Sequence, residues 1–138
     1  MEALRDILRT FRPVGGETLR VAGTGAEPFA AVDPRALRVE AEAGSSAHLV
    51  VLHTKADAAS LTVALGEGAQ LELTHLFAAE AFAEVSVRQS ARSRCRVTTV
   101  QLTGANASYR IDLDGAEAEN SLGGAFLAAD GEHCVVTL

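Results

Sequence analysis

The chain has 138 residues, enough for one domain that hides roughly two-thirds of the surface its unfolded form exposes. Hydrophobic residues make up 48% and charged residues 22%, with a mean hydropathy of +0.15, which excludes an intrinsically disordered chain. The net charge of -6 and a pI near 5.1 deny it the basic footprint of a phosphate-tracking surface, so nucleic acid is not an expected partner.

The first predicted element is a short amphipathic helix over residues 1–11, where Leu4, Ile7, Leu8 and Phe11 form one stripe before Pro13, Gly15 and Gly16. The same segment carries Arg5 and Arg9, with Arg12 directly after it, where a secretion signal would have an apolar run. No stretch approaches the ~18 apolar residues of a membrane span, so the expected compartment is the cytoplasm. Up to residue 35 the chain reads as an irregular lead-in, with one strand over 18–22.

From residue 36 to 138 the pattern turns to period two, in short runs rich in Val, Leu and Thr separated by Gly, Ala, Asn and Asp. Strands are predicted over 37–43, 47–53, 61–65, 69–76, 82–89, 94–102, 107–113, 120–128 and 132–138, with no helix between them. They recur. Leu49, Val51 and His53 are matched 22 residues on by Leu71, Leu73 and His75, then 24 on by Cys95, Val97 and Thr99. A second series takes Leu61, Val63 and Leu65 to Ala83, Val85 and Val87, then to Ala107, Tyr109 and Ile111, and roughly to Gly131, His133 and Val135. Two strands per period of 22 to 24 residues point to a parallel β-helix, a β-solenoid whose turns stack at ~4.8 Å. An antiparallel sandwich shares the alternation and stays open as the alternative.

In that frame His53 and His75 share a column on neighbouring turns, half of a metal site. The column continues with Thr99 and Gly123, which supply no third ligand, whereas a stable transition-metal site wants three or four. The reading is therefore a pair of partly buried histidines, with His48 on the opposite face. Cys95 falls in an inward column and reads as a small buried hydrophobe; Cys134 and His133, being adjacent on a strand, point to opposite faces. The two cysteines form no zinc spacing and no disulfide framework. Arg94 and Arg96 are expected beside Gln70 and Glu72 on an exposed, internally compensated face. Phosphate-loop, HExxH and GxSxG motifs are missing, which leaves no catalytic residue to nominate.

Residues 66–134 open on GAQLEL, carry a strand ending in Val87, Arg88 and Gln89, continue as NASYRIDLDGAEAE and close in GGAFLAADGEH. These features resemble the β-helix core of the SufB/SufD family of iron–sulfur cluster assembly proteins, on its SufD side. The resemblance implies a right-handed parallel β-helix, noncatalytic, that pairs with a SufB-like subunit and docks a SufC-like ATPase. The iron–sulfur cluster then belongs to the complex, and no cofactor is expected on this chain alone. His133 matches a His common in the family and joins His53 and His75 as a weak metal candidate, although Val135 stands where an Asp often follows. The family's CSHG-like segment and ATPase-contacting helices have no counterpart, so the core reads as truncated relative to the family. A last strand ending on Val135, Val136, Thr137 and Leu138 without a polar cap would be an open edge. Val135, Val136 and Leu138 are thus interface candidates, and a homo-oligomer is expected of the isolated chain. A self-assembling structural solenoid and a carbohydrate-active β-helix are the competing functions.

Overall fold

The computed structural model describes residues 12–13, 17–24, 28–102, 105–126 and 134–137. The expected helix over residues 1–11 lies outside them, apart from which the observed elements are all strands. In chain order they are β1 (Arg12–Pro13), β2 (Thr18–Val21), β3 (Phe29–Val32), β4 (Ala36–Ala41), β5 (Ser46–His53) and β6 (Ala58–Leu65). They continue with β7 (Gln70–Phe77), β8 (Phe82–Gln89), β9 (Arg94–Gln101), β10 (Ala105–Leu113), β11 (Glu119–Phe126) and β12 (Cys134–Thr137).

Odd-numbered strands form one six-stranded sheet in the order β1-β3-β5-β7-β9-β11, and even-numbered strands form the other, β12-β10-β8-β6-β4-β2. Every ladder is parallel. The chain therefore alternates between two facing sheets and advances one strand along each per turn, which is a β-solenoid and not an antiparallel sandwich. The coil also begins earlier than the composition suggested. β2 matches the strand expected over 18–22, β3 lies where the chain was read as irregular, and the two pair with β4 and β5.

The alternating apolar residues face the space between the sheets, so each position builds a column. Leu19, Val39, Val63 and Val87 form one; Leu37, Leu61, Val85 and Tyr109 form another. All are buried, and a fully buried Val or Leu contributes about 1.5–3 kcal/mol of transfer free energy. β5 departs from the alternation: Val50 and Leu52, on its outer face, are buried too and cluster with Ala30 and Leu76.

The register corrects the column assignments. Ser46 faces Gln70 and Gln70 faces Arg94, so the step is 24 residues where the sequence match suggested 22. Leu49 stacks on Leu73 and Val97, while Leu71 stacks on Ala47 and Cys95; Val51 stacks on His75 and Thr99. In the other sheet Leu61 faces Val85 and Val63 faces Val87. Gly124, not Gly123, follows Thr99. At the end of the coil Cys134 faces Ala105 and Val136 faces Ala107, in place of the approximate match through His133.

The corner preceding β5, β7, β9 and β11 sets this register. Gly44, Gly68, Arg92 and Glu117 all take positive φ there, with values of 72°, 70°, 57° and 60°. Gly44 N–H donates to Glu67 C=O at 2.9 Å, Gly68 N–H to Ala91 C=O at 3.0 Å, and Arg92 N–H to Ala116 C=O at 2.9 Å. The left-handed residues are thus stacked turn on turn, 24 residues apart from Gly44 to Gly68 to Arg92. Within each turn a bond from residue i+3 to residue i closes the bend: Ser45 to Glu42, Ala69 to Gly66 and Ser93 to Ser90.

Candidate functional site

The second corner, which follows β3, β5, β7 and β9, is where chemistry-bearing side chains converge. His53 is the last residue of β5; its ladder partner is Phe77 at the end of β7, two residues beyond His75. Both histidines therefore point into the lumen from neighbouring strands, in adjacent columns, and their rings meet on the diagonal. The two Nε2 atoms are 2.6 Å apart, with ring centroids 4.7 Å apart. Phe77 lies against both, stacked on His53 at 4.8 Å with 16° between planes and tilted over His75 at 4.4 Å. Tyr109 comes across from β10 and places its hydroxyl 3.2 Å from His75 Nδ1.

The histidines retain only 3% and 1% of their surface exposure, and that burial dominates their electrostatics. Loss of hydration lowers the His53 pKa from its ordinary value, with the Asp33 carboxylate pulling the other way. Burial, reinforced by His53, holds His75 well below the ordinary range. The Tyr109 phenol is pushed up to about 12 by burial, with the Thr99 hydroxyl working against the shift. Asp33 sits at the same corner with φ 50°, a left-handed conformation that Asp tolerates better than most residues. Its carboxylate accepts from Thr54 N–H at 2.7 Å and from the Thr54 hydroxyl, tying the turn after β3 to the turn after β5.

A neutral imidazole offers one donor and one acceptor, so the pair is satisfied when one Nε2 carries a proton and the other accepts it. Either direction of donation leaves His75 Nδ1 free to bond Tyr109, which donates or accepts to match. A separation of 2.6 Å is hydrogen-bond geometry. Two imidazole nitrogens at about 2.0–2.1 Å from one ion stand well over 3 Å apart at a tetrahedral angle, so this arrangement does not hold an ion between them. Among the described residues no group of three or more His, Cys, Asp or Glu side chains converges.

A shallow concavity of about 950 Å³ runs along the N-terminal ends of β5, β7, β9 and β11. Its polar lining includes His48, Glu72, Arg94, Arg96 and Glu119, and it does not reach the buried histidines. Glu72 and Arg96 are ladder neighbours there, as are Gln70 and Arg94. Ion pairs link turns on both faces, Arg94 to Glu119 at 3.5 Å and Arg88 to Asp114 at 3.0 Å, so the charge is mixed in sign and locally compensated. His48 Nε2 lies 3.0 Å from Thr74 Oγ1 on the outer face. The Cys95 thiol is buried and its pKa is pushed up to about 12, which removes it as a nucleophile.

The structure thus brings His53 and His75 together, as the sequence proposed, but through a diagonal contact and not a shared column. His133 and Leu138 lie outside the described residues. Val135 and Val136 belong to β12, which pairs with β10. Sequence reasoning missed Phe77, Tyr109 and Asp33 as members of the cluster. Tyr109 carried a signal, being the single Tyr of the chain and 24 residues after the inward Val85. No family model, curated protein or solved structure matches this chain.

Proposed function

We propose that the chain is a noncatalytic β-solenoid scaffold subunit. Its finer assignment is a right-handed β-helix of the SufB/SufD kind that works in the cytoplasm with a SufB-like partner and a SufC-like ATPase, the iron–sulfur cluster being held by the complex. The observation that carries the reading is architectural. Two parallel sheets run in step, and among the described residues the outermost strands, β1 and β11 in one sheet and β2 and β12 in the other, each have a strand neighbour on one side only, so a second β-solenoid can match either end by strand addition. The likeness of residues 66–134 to the family core supplies the choice of partner.

The same edges favour a second reading, self-assembly into a homo-oligomer through β11 and β12. Pairing there would exchange backbone hydrogen bonds to water for bonds between chains, a net contribution of about 0.5–1.5 kcal/mol each. Co-expression with a SufB-like subunit and a SufC-like ATPase separates the two. Recovery of a stable hetero-complex, weakened by Val136→Lys in β12, is the expected result. A chain that elutes alone beside both subunits, and is monomeric at high concentration by light scattering, overturns both readings.

A further inference from the structure

The lumen where β5, β7 and β10 meet holds two imidazoles and a phenol in mutual contact, and neither the scaffold reading nor the apolar columns make use of them. We infer that the His53–His75 pair is an acid-sensitive latch: while neutral it closes the corner that follows β5 and β7, and on acidification it releases that corner while the opposite, glycine-bearing corner stays shut.

The geometry carries this in three steps. The 2.6 Å gap between the Nε2 atoms has room for one proton: a singly charged pair keeps the bond, one imidazolium donating to the other, neutral ring, and only when both rings are cationic does N–H face N–H and force them apart. The surroundings offer a cation little relief. β7 contributes the Phe77 ring, β9 contributes the uncharged Thr99 and Gln101, and β10 contributes a phenol that stays protonated up to about 12. Asp33, from the turn after β3, is the charged side chain acting on His53 among the described residues, and its carboxylate is already held by Thr54. Across the lumen β6 and β8 present Leu61, Val63, Val85 and Val87 to the core.

The pair is also attached to the corner it would release. His53 C=O accepts from Ala78 N–H at 2.9 Å, Phe77 C=O from Leu102 N–H at 2.9 Å, and Leu52 C=O from Asp33 N–H at 2.8 Å. Separating the rings displaces the strand ends that make these bonds. The opposite corner is held by its own backbone ladder and contains no member of the cluster.

The direction follows from linkage. Burial lowers the proton affinity of both imidazoles in the closed form, that of His75 the more, so as the pH falls below their ordinary value of 6.5 the open form takes up protons that the closed form resists. The closed corner is therefore fully favoured above that pH and progressively less so below it. Opening that takes up one or two protons rises about ten- to a hundredfold per pH unit.

Hydrogen exchange on the full chain between pH 7.5 and 5, corrected for intrinsic rates, reads the two corners separately. The amides of Asp33 and Ala78 should show little change down to about pH 6.5 and then a ten- to hundredfold rise in opening per pH unit, while those of Gly44 and Gly68 hold constant. His75→Gln and His53→Gln should each flatten the rise. An equal rise at both corners, no rise at either, or an unchanged slope in a folded variant overturns the latch. Should a variant not fold, imidazole ¹⁵N shifts of the unaltered protein decide. Rings neutral at pH 6 that protonate together with loss of Ala78 protection support the latch. Rings that titrate near 6.5 with protection intact overturn it.

Discussion

At the scale of single residues, Tyr109 and two glycines show how little slack the lumen and corners hold. The Tyr109 hydroxyl is the partner of His75 Nδ1 in an environment with no access to water. Tyr109→Phe removes that partner, leaves the ring nitrogen buried and unpaired, and should lower unfolding free energy by about 1–3 kcal/mol in chemical denaturation. The glycines divide by cause. Gly68 has φ 70°, and an added Cβ would meet Gly44 N at an unstrained 3.9 Å, so Gly68→Ala costs only the left-handed conformation, about 1–2 kcal/mol. Gly115 has no positive φ, but an added Cβ would stand 2.5 Å from Ala91 Cα on the neighbouring turn. Gly115→Ala must therefore push two turns apart. Thermal denaturation should find Gly115→Ala the more damaging of the two; the reverse order would mean that the corner, not the close approach of the turns, limits stability.

At the scale of elements, strands and turns divide the work. Alternation decides which face each strand buries, and the stacked corner decides where along its neighbour it stops. Glu72 and Arg96 sit side by side in the β7–β9 ladder on the exposed face, where water and salt screen the attraction. A double-mutant cycle with Glu72→Gln and Arg96→Gln should give a coupling well under about 1 kcal/mol; a value near 3 kcal/mol would show that the face is far drier than its exposure implies. The strands were largely legible from sequence. The run predicted over 82–89 coincides with β8, and that over 94–102 exceeds β9 by one residue. β3 was not legible, because Phe29–Val32 is only four residues long and lies between Pro28 and Pro34, which read as loop punctuation. What places it in a sheet is its ladder with β5.

At the scale of the molecule, a solenoid is a stack whose turns contact chiefly their nearest neighbours, so its stability is close to a sum of turns and their interfaces. Columns such as Leu49, Leu73 and Val97 cross those interfaces and tie consecutive turns into one core. The same logic gives the proposed assembly its form, since a strand on the next subunit can extend a sheet by the rules that built it. It also confines the proposed latch. A perturbation at one corner is passed to adjacent turns through the ladders while the backbone bonds of the opposite corner remain in place, which is why the two corners serve as each other's control.

The amino-acid sequence by itself determined the class of fold and most of the strands, because period-two alternation and a recurrence of about two dozen residues are local properties of the chain. It also put Cys95 inside and Arg96 beside Glu72. It did not determine the register between β5 and β7. Sliding one strand by two residues leaves every side chain on its original face, so a step of 22 and a step of 24 bury the same residues, and the matching LxVxH and LxLxH patterns favour the wrong one. The tertiary structure decided between them through the corner, where Gly44 must stack on Gly68 to continue the backbone ladder. That choice sets His53 opposite Phe77 and lets it meet His75 across the diagonal, a contact that depends on the register and on nothing legible in either strand alone.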